Sequence, residues 1–356
     1  MKFIHIADVH LGAKPEAGSG LKLDREKELY ETFYRVMQLC EEQKIDLLLI
    51  AGDLFHRQPL LRELKEINYI LSKLKHTKVV VIAGNHDYIS LRSNYLEFKW
   101  CKNMFILSAK EMDSIYFEDL NTEVYGFSYY TRDIFEERYS DIYAGVEERI
   151  NILVAHGGDQ RNIPINYKKL VTTGFDYIAL GHIHKPEIFS PTMAYSGSLE
   201  PLDKNETGEH GYIQGQIEKM DSNQAVTKIE FVPFSKREYK KIEILVTKES
   251  SNLSIQEDIK EVIEKYGSQH MYQVVLKGIR DPELILDKQT IYSLGYITQI
   301  DDEVQPDYDI ELLYQENKDN LIGAYIDRIR NSSSDKSLCE KALYYGIQAL
   351  LNTKER

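Results

Sequence analysis

The 356-residue chain contains only three cysteines, Cys40, Cys101 and Cys339, far apart and in no CxxC spacing. That scarcity excludes a disulfide framework and a thiolate zinc site, and points to a reducing compartment. Long apolar runs are missing too. The hydrophobic stretch at the N-terminus is cut by His5 and Asp8, too short for the core of a signal peptide, and no other segment approaches bilayer-spanning length. A cytoplasmic protein with no membrane association is expected. Basic charge is also in short supply: 44 Lys and Arg against 57 Asp and Glu give a net charge of -13. This argues against a diffuse electrostatic grip on nucleic acid, so any polyanionic substrate must be held locally. No low-complexity tract or fixed-period repeat is visible.

What the sequence does have is one event repeated at the ends of short apolar runs. "FIHIADVHLG" ends on Asp8 and His10, and "IDLLLIAGDLFH" on Asp53 with His56 close behind. "VVVIAGNHDY" ends on Asn85, His86 and Asp87, "INILVAHGG" on His156, and "FDYIALGHIH" on His182 and His184. Such runs suit strands buried on both faces. Between the first three, Leu29, Phe33, Val36, Met37 and Cys40 fall at helical spacing over 24–43. A second stripe, Leu60, Leu64, Ile67, Leu71 and Leu74, runs over 59–75, with Pro59 suited to a first helical position. The alternation predicts an α/β fold with a parallel or mixed sheet, in which sites lie beyond the carboxyl ends of the strands.

After His184, "EIFS", "MAYSGS", "HGYIQGQIE" and "AVTKIEFVPF" read as strands of a second sheet closing a sandwich. The composition changes at "PFSKREYKK", giving predicted domains of 1–235, 236–312 and 313–356. The middle one reads as a small α+β unit whose helix opens on a capping box at Ser254-Ile255-Gln256-Glu257. The last is helical, with stripes Ile322, Tyr325, Ile326, Ile329 and Cys339, Leu343, Ile347, Leu350.

A donor set of Asp, Asn and His without cysteine favours Mn²⁺ or Fe²⁺, with Zn²⁺ possible. Asp8, His10, Asp53, Asn85, His156, His182 and His184 suffice for two cations if one carboxylate bridges, and Asp53 at the central strand is the natural bridge. Residues i and i+2 of extended backbone point the same way, so Asp8 and His10 can turn toward one centre, as can His182 and His184. Asn85 and His86 diverge, which suits different roles. Two divalent ions against two carboxylates leave such a pocket roughly two units positive, enough to attract phosphate to an acidic protein.

The ordered set D-x-H (Asp8, His10), G-D (Gly52, Asp53), G-N-H-D (Gly84 to Asp87), H (His156) and G-H-x-H (Gly181 to His184) resembles the calcineurin-like metallophosphoesterase superfamily. "AGDLFHRQP", "YIALGHIHKP" and "AYSGSLEP" are similar to its DNA-repair exonuclease branch, the SbcD-type nuclease subunit. The likeness is strong over roughly the first two thirds of the chain and looser beyond. It implies a two-sheet sandwich with a capping domain. It implies one cation on Asp8, His10, Asp53 and His184, and a second on Asp53, Asn85, His156 and His182. His86 would then stabilise the transition state or protonate the leaving oxygen, oriented by His56. The implied activity is Mn²⁺-dependent hydrolysis of DNA, as double-strand exonuclease and single-strand endonuclease. The implied partner is an SMC-like, SbcC-type ATPase bound through the C-terminal helices; a homodimer is also compatible.

Other residues have plainer readings. Asp87 is expected to hold its loop, His5 to be packed in the core and His210 to sit in a surface turn. Lys14, Lys22, Arg25, Arg57, Arg92 and Lys185 are open to phosphate contact or simple solvation, and Tyr129 and Tyr130 to base stacking or core filling. The acidic run Asp301, Asp302, Glu303, Asp307 and Asp309 reads as a solvated face. Two rival functions remain at this level: a metallophosphoesterase for a small nucleotide or phosphodiester, and a weakly active scaffold for an ATPase.

Overall fold

The computed structural model describes residues 1–16, 21, 23–220 and 223–354, so Lys22 lies outside the described residues. The chain divides into two compact units, Met1–Tyr239 and Lys240–Arg356.

The first unit is a sandwich of two six-stranded mixed sheets. One sheet is built on β1 (Lys2–Ile6), β2 (Leu47–Ala51), β3 (Lys78–Ile82) and β4 (Met104–Ile106), all parallel. The other contains β5 (Asp113–Phe117), β6 (Thr122–Gly126), β7 (Ile150–His156), β8 (Tyr177–Gly181), β9 (Glu187–Ser190) and β10 (Met193–Tyr195), of which β6, β7, β8 and β10 are parallel. The strands after His184 do not form the second sheet by themselves. β9 and β10 join it, whereas β11 (Gly211–Lys219) and β12 (Ala225–Pro233) return antiparallel to the edge of the first sheet beside β1.

The continuous hydrophobicity of the central strands has a direct cause. Leu47, Leu49 and Ala51 of β2 pack with Ile152 and Val154 of β7 and Tyr177 and Ala179 of β8 between the sheets. The alternate residues Leu48 and Ile50 pack against the helices α1 (Arg25–Glu42) and α2 (Leu61–Leu71) through Phe33, Val36, Leu64 and Ile67. With both faces covered, every side chain of β2 is apolar, and Asp53 comes only after the strand has ended. Pro59 lies just before α2, whose N-cap is Leu60, and the helix stops at Leu71.

A buried ion network ties α1 to the segment leading out of β10. Arg25 is 1% exposed and donates to Glu28 at 2.6 Å, to Glu200 at 3.3 Å and to the Pro201 carbonyl at 2.9 Å. Arg237 closes the network on Glu28 at 2.8 Å. Arg25 is therefore a structural cation, not a phosphate contact. Arg57 is paired with Glu63 at 2.7 Å and Lys14 with Glu26 at 3.4 Å, while Arg92 and Lys185 are exposed.

The second unit has a three-stranded sheet of β13 (Tyr239–Val246), β14 (Met271–Arg280) and β15 (Ile297–Pro306). Ile255, Ile259 and Ile263 of its long helix pack on Ile242, Ile244, Val274 and Leu276. That helix spans Asn252–Tyr266, and its N-cap is Ser251 with Ser254 reciprocating. The cap thus sits three residues before the expected box, because Ser251 already takes the extended conformation that a cap requires. At the C-terminus, helices at Leu321–Arg330 and Lys336–Lys354 bury Ile322, Ile326 and Ile347 together, and a further helix at Ile310–Glu316 precedes them. Asp309 of the acidic run caps that helix, and Asp302 pairs with Lys288 at 2.9 Å.

Candidate metal centre

The five loops that leave β1, β2, β3, β7 and β8 meet at one end of the sandwich, and the polar residues at their tips come together there. His10 Nε2 lies 3.2 Å from His184 Nε2 and 3.7 Å from Asp53 Oδ2. On the other side of the same carboxylate, His156 Nε2 is 3.6 Å from Asp53 Oδ2 and 3.0 Å from Asn85 Oδ1, which in turn lies 3.2 Å from His182 Nδ1. The Asp8 carboxylate accepts from the His182 backbone N–H at 2.9 Å, so a residue of the first sheet is fastened to a loop of the second. Ligand atoms of Asp8, His10 and His184 all lie within 4.8 Å of one another, and so do those of Asp8, Asp53 and His156. Asp53 lies between the two groups of imidazoles, and Asp8, His10, Asp53 and His156 are each no more than 1% exposed.

Local backbone geometry explains how the strand ends turn their side chains inward. Asp8, His10 and Asp53 adopt φ near +50°, and His182 has φ of +98°. Non-glycine residues rarely take these values, which cost of order 1–3 kcal/mol each and cluster at functional sites. Backbone bonds from Asp8 N to Gly52 O at 3.1 Å and from His10 N to Asp53 O at 3.0 Å hold the first two tips together. Gly181 is required where the end of β8 meets the end of β2, since a Cβ there would strike the Ala51 carbonyl. Gly84 is required for the same reason, against the Asp53 carboxylate and the His156 ring.

Imidazoles and carboxylates shift one another inside this pocket. Burial alone would push the His156 imidazole down, but Asp53 and Asp8 carry it up to about 9. Burial likewise opposes protonation of His184, which Glu206 and Asp8 nevertheless raise to about 9. His10 stays well below the usual histidine range because burial outweighs the pull of Asp53. His182 is also lowered, by burial and by neighbouring His156. Burial pushes Asp53 up, yet the surrounding imidazoles hold it far below the ordinary carboxylate range.

The remaining residues named from the sequence fall into place around this cluster. His86 is half-buried and holds its Nδ1 on the backbone carbonyl of His56 at 3.0 Å. The main chain of His56, not its imidazole, orients His86; the two rings stack at 5.0 Å. The His56 imidazole instead faces His10, Nδ1 to Nδ1 at 3.3 Å. Asp87 is a loop anchor, accepting from Phe55 N, Gly84 N and the Tyr95 hydroxyl at 2.8–3.1 Å. His5 is buried against the Tyr177 hydroxyl. His210 is not in a surface turn: it is 2% exposed and bonded to Ser198 at 2.9 Å, because the chain folds back there to start β11. Tyr129 is core, its hydroxyl on the His156 carbonyl at 3.2 Å.

Three participants carried no signal in the sequence. Tyr139 accepts from His156 N at 3.0 Å, Asp159 meets His182 Nε2 at 2.7 Å, and Glu206 meets His184 Nδ1 at 2.8 Å. All three lie in irregular segments, with no spacing relation to the histidines they serve.

This donor set fits divalent cations. Carboxylate, amide and imidazole groups converge on two adjacent positions around Asp53, and three of the four candidate histidines have their other ring nitrogen on an oxygen acceptor: Ala51 O for His156, Asp159 for His182, Glu206 for His184. That is the arrangement in which imidazole ligands are oriented toward a metal.

The sequence matches the calcineurin-like phosphoesterase family model over residues 1–186. The uncharacterized metallophosphoesterase YhaO of Bacillus subtilis is 28% identical over 311 residues, covering 81% of this chain and 74% of that protein. The DNA double-strand break repair protein Mre11 of Methanopyrus kandleri is 31% identical over 238 residues, 59% of this chain and 52% of that protein, so the chain matches about half of it. The corresponding Mre11 of Sulfurisphaera tokodaii is 23% identical over 363 residues, 94% of this chain and 90% of that protein. With more than half of its length matched and the donor set assembled, the chain belongs to the calcineurin-like phosphoesterases, hydrolases that use divalent metals.

Proposed function

We propose that the protein is a nuclease that hydrolyses DNA phosphodiesters with two divalent cations, most readily Mn²⁺. The observation that carries the reading is the placement of Asp53 between two sets of donors, His10 and His184 on one side, His156 and Asn85 on the other. One cation is assigned to Asp8, His10, Asp53 and His184, the other to Asp53, Asn85, His156 and His182. When bound, such a pair supplies Lewis acidity at the phosphoester oxygens and a water nucleophile active near neutral pH.

The chain's own residues do the rest. His86, whose Nδ1–H donates to the His56 carbonyl, can in its imidazolium form give the Nε2 proton to the leaving alkoxide, a contribution of about 10²–10⁴-fold. The buried carboxylates Asp8 and Asp53 keep the pocket from being overwhelmingly cationic, so the product phosphate can leave. The likeness to the Mre11 proteins favours DNA over a small phosphoester. The helices of 313–356 are proposed to dock an SMC-like ATPase, with the capping region at 236–312. Among the described residues no helix is long and apolar enough to cross a membrane, and the proposed setting is DNA repair in the cytoplasm.

The test compares the purified chain with Mn²⁺ on end-labelled linear duplex DNA and on a small chromogenic phosphodiester, each with an EDTA control. Metal-dependent cleavage of DNA is expected. Turnover of the small substrate with DNA left intact would favour the rival reading, a phosphoesterase for small molecules.

A further inference from the structure

The two carboxylates that the sequence did not reveal are matched in position. Each backs one histidine of the Gly181–His184 motif, on the ring nitrogen opposite the one that faces another candidate ligand. Asp159 Oδ2 lies 2.7 Å from His182 Nε2, whose Nδ1 faces Asn85, and Glu206 Oε1 lies 2.8 Å from His184 Nδ1, whose Nε2 faces His10. We propose that Asp159 and Glu206 are positioning residues, one for each cation, which fix the proton of their histidine on the outer nitrogen and so keep the inner nitrogen bare for the metal. The assignment rests on the two-cation reading above.

What makes it more than proximity is the state of the second oxygen in each carboxylate. Asp159 Oδ1 accepts from the backbone N–H groups of Arg161 at 2.7 Å and Asn162 at 2.8 Å. Glu206 Oε2 accepts from the backbone N–H of Leu202 at 2.9 Å. A carboxylate satisfies both sides because it is an acceptor at both oxygens. An amide cannot. In Asp159→Asn or Glu206→Gln the carbonyl oxygen must stay on the backbone donors, so the NH₂ group turns toward the imidazole and needs a bare outer nitrogen. The imidazole proton then moves to the inner nitrogen, the atom the cation requires. Isosteric amides should therefore harm metal binding at least as much as truncation to alanine, which leaves the ring free to choose its tautomer with water. A residue that merely held a loop together would show the opposite order, because the amide preserves the turn that alanine loses. The same tautomer penalty is known where an aspartate orienting a catalytic histidine is replaced by asparagine.

The experiment is Mn²⁺ titration of the metal-free full chain by calorimetry, with electron paramagnetic resonance on the same samples to separate coupled from isolated Mn²⁺. Wild type should take up two Mn²⁺ and give the coupled spectrum. Each of Asp159→Asn and Glu206→Gln should weaken one of the two sites by about 10–100-fold, the usual effect of removing such a partner. The other site should stay filled, leaving isolated Mn²⁺ at intermediate concentrations. Asp159→Ala and Glu206→Ala should bind no more weakly than the amides. Should an alanine variant melt early without metal, the amide variant, which keeps the backbone hydrogen bonds, still decides. Uptake of fewer than two Mn²⁺ by wild type would overturn the two-cation reading itself. Two tightly held Mn²⁺ in wild type and in both amide variants, or amides binding more tightly than alanines, would overturn the positioning roles alone.

Discussion

Replacing His86 by alanine separates chemistry from metal binding. The His86 backbone N–H donates to Asp53 Oδ1 at 2.9 Å, a contact that alanine keeps. The side chain contributes one hydrogen bond, to an exposed carbonyl of His56 that water can satisfy, and a stack on the exposed His56 ring. Losing them should cost stability only about 0.5–1.5 kcal/mol. The loss in catalysis should be far larger. A positioned general acid is worth about 10²–10⁴-fold, which is about 2.7–5.4 kcal/mol in the barrier. The assay is kcat on DNA, whose leaving alkoxide needs a proton, beside kcat on a nitrophenyl phosphodiester, whose leaving group does not. We expect the full loss on DNA, a much smaller one on the nitrophenyl ester, and unchanged Mn²⁺ uptake. Equal losses on both substrates would refute proton donation, and loss of Mn²⁺ would refute the separation of His86 from the ligands.

Further outcomes follow from the electrostatics of the site and its frame. Against the cost of burial, facing carboxylates raise His156 and His184 to about 9, whereas burial lowers His10 and His182. Filling the site should then release protons at pH 7, and apparent Mn²⁺ affinity should climb with pH until both raised imidazoles are largely neutral, above pH 9; calorimetry in buffers of different ionisation enthalpy measures this, and release of no protons would contradict the assigned couplings. Arg25→Ala leaves Glu28 and Glu200 facing each other in the interior, and should destabilise the first unit by about 3–5 kcal/mol, visible in denaturant unfolding. Acid should act on the same network: burial raises Glu28, but Arg237 and Arg25 outweigh it and hold it at about 2, so its contribution is present above pH 4.5 and disappears as pH falls toward 2. A stability profile flat over that window would count against the network.

The polar strand tips were legible because a buried strand carries few Asp, Asn or His before its end, His5 and Asn151 being the buried exceptions, and five strands ended that way. Each residue could be read locally, and the fold brings all seven together. Asp159 and Glu206 were not legible, since an acid in an irregular loop looks like any solvated side chain until the loop's path is known. Arg25 and His210 were misjudged for the converse reason: their burial depends on partners 175 and 12 residues away, Glu200 and Ser198. The sheet membership of the strands after His184 was equally hidden. β10 is a three-residue apolar stretch and β11 a nine-residue strand that alternates apolar and polar side chains, and what sends one beside β8 and the other beside β1 is long-range pairing.

Crystals soaked in Mn²⁺ and measured at the manganese absorption edge test the central claim most directly. Two anomalous peaks should flank the Asp53 carboxylate, one reached by His10 and His184, the other by Asn85, His156 and His182. A single peak away from Asp53, or none at full Mn²⁺ occupancy in solution, would contradict it.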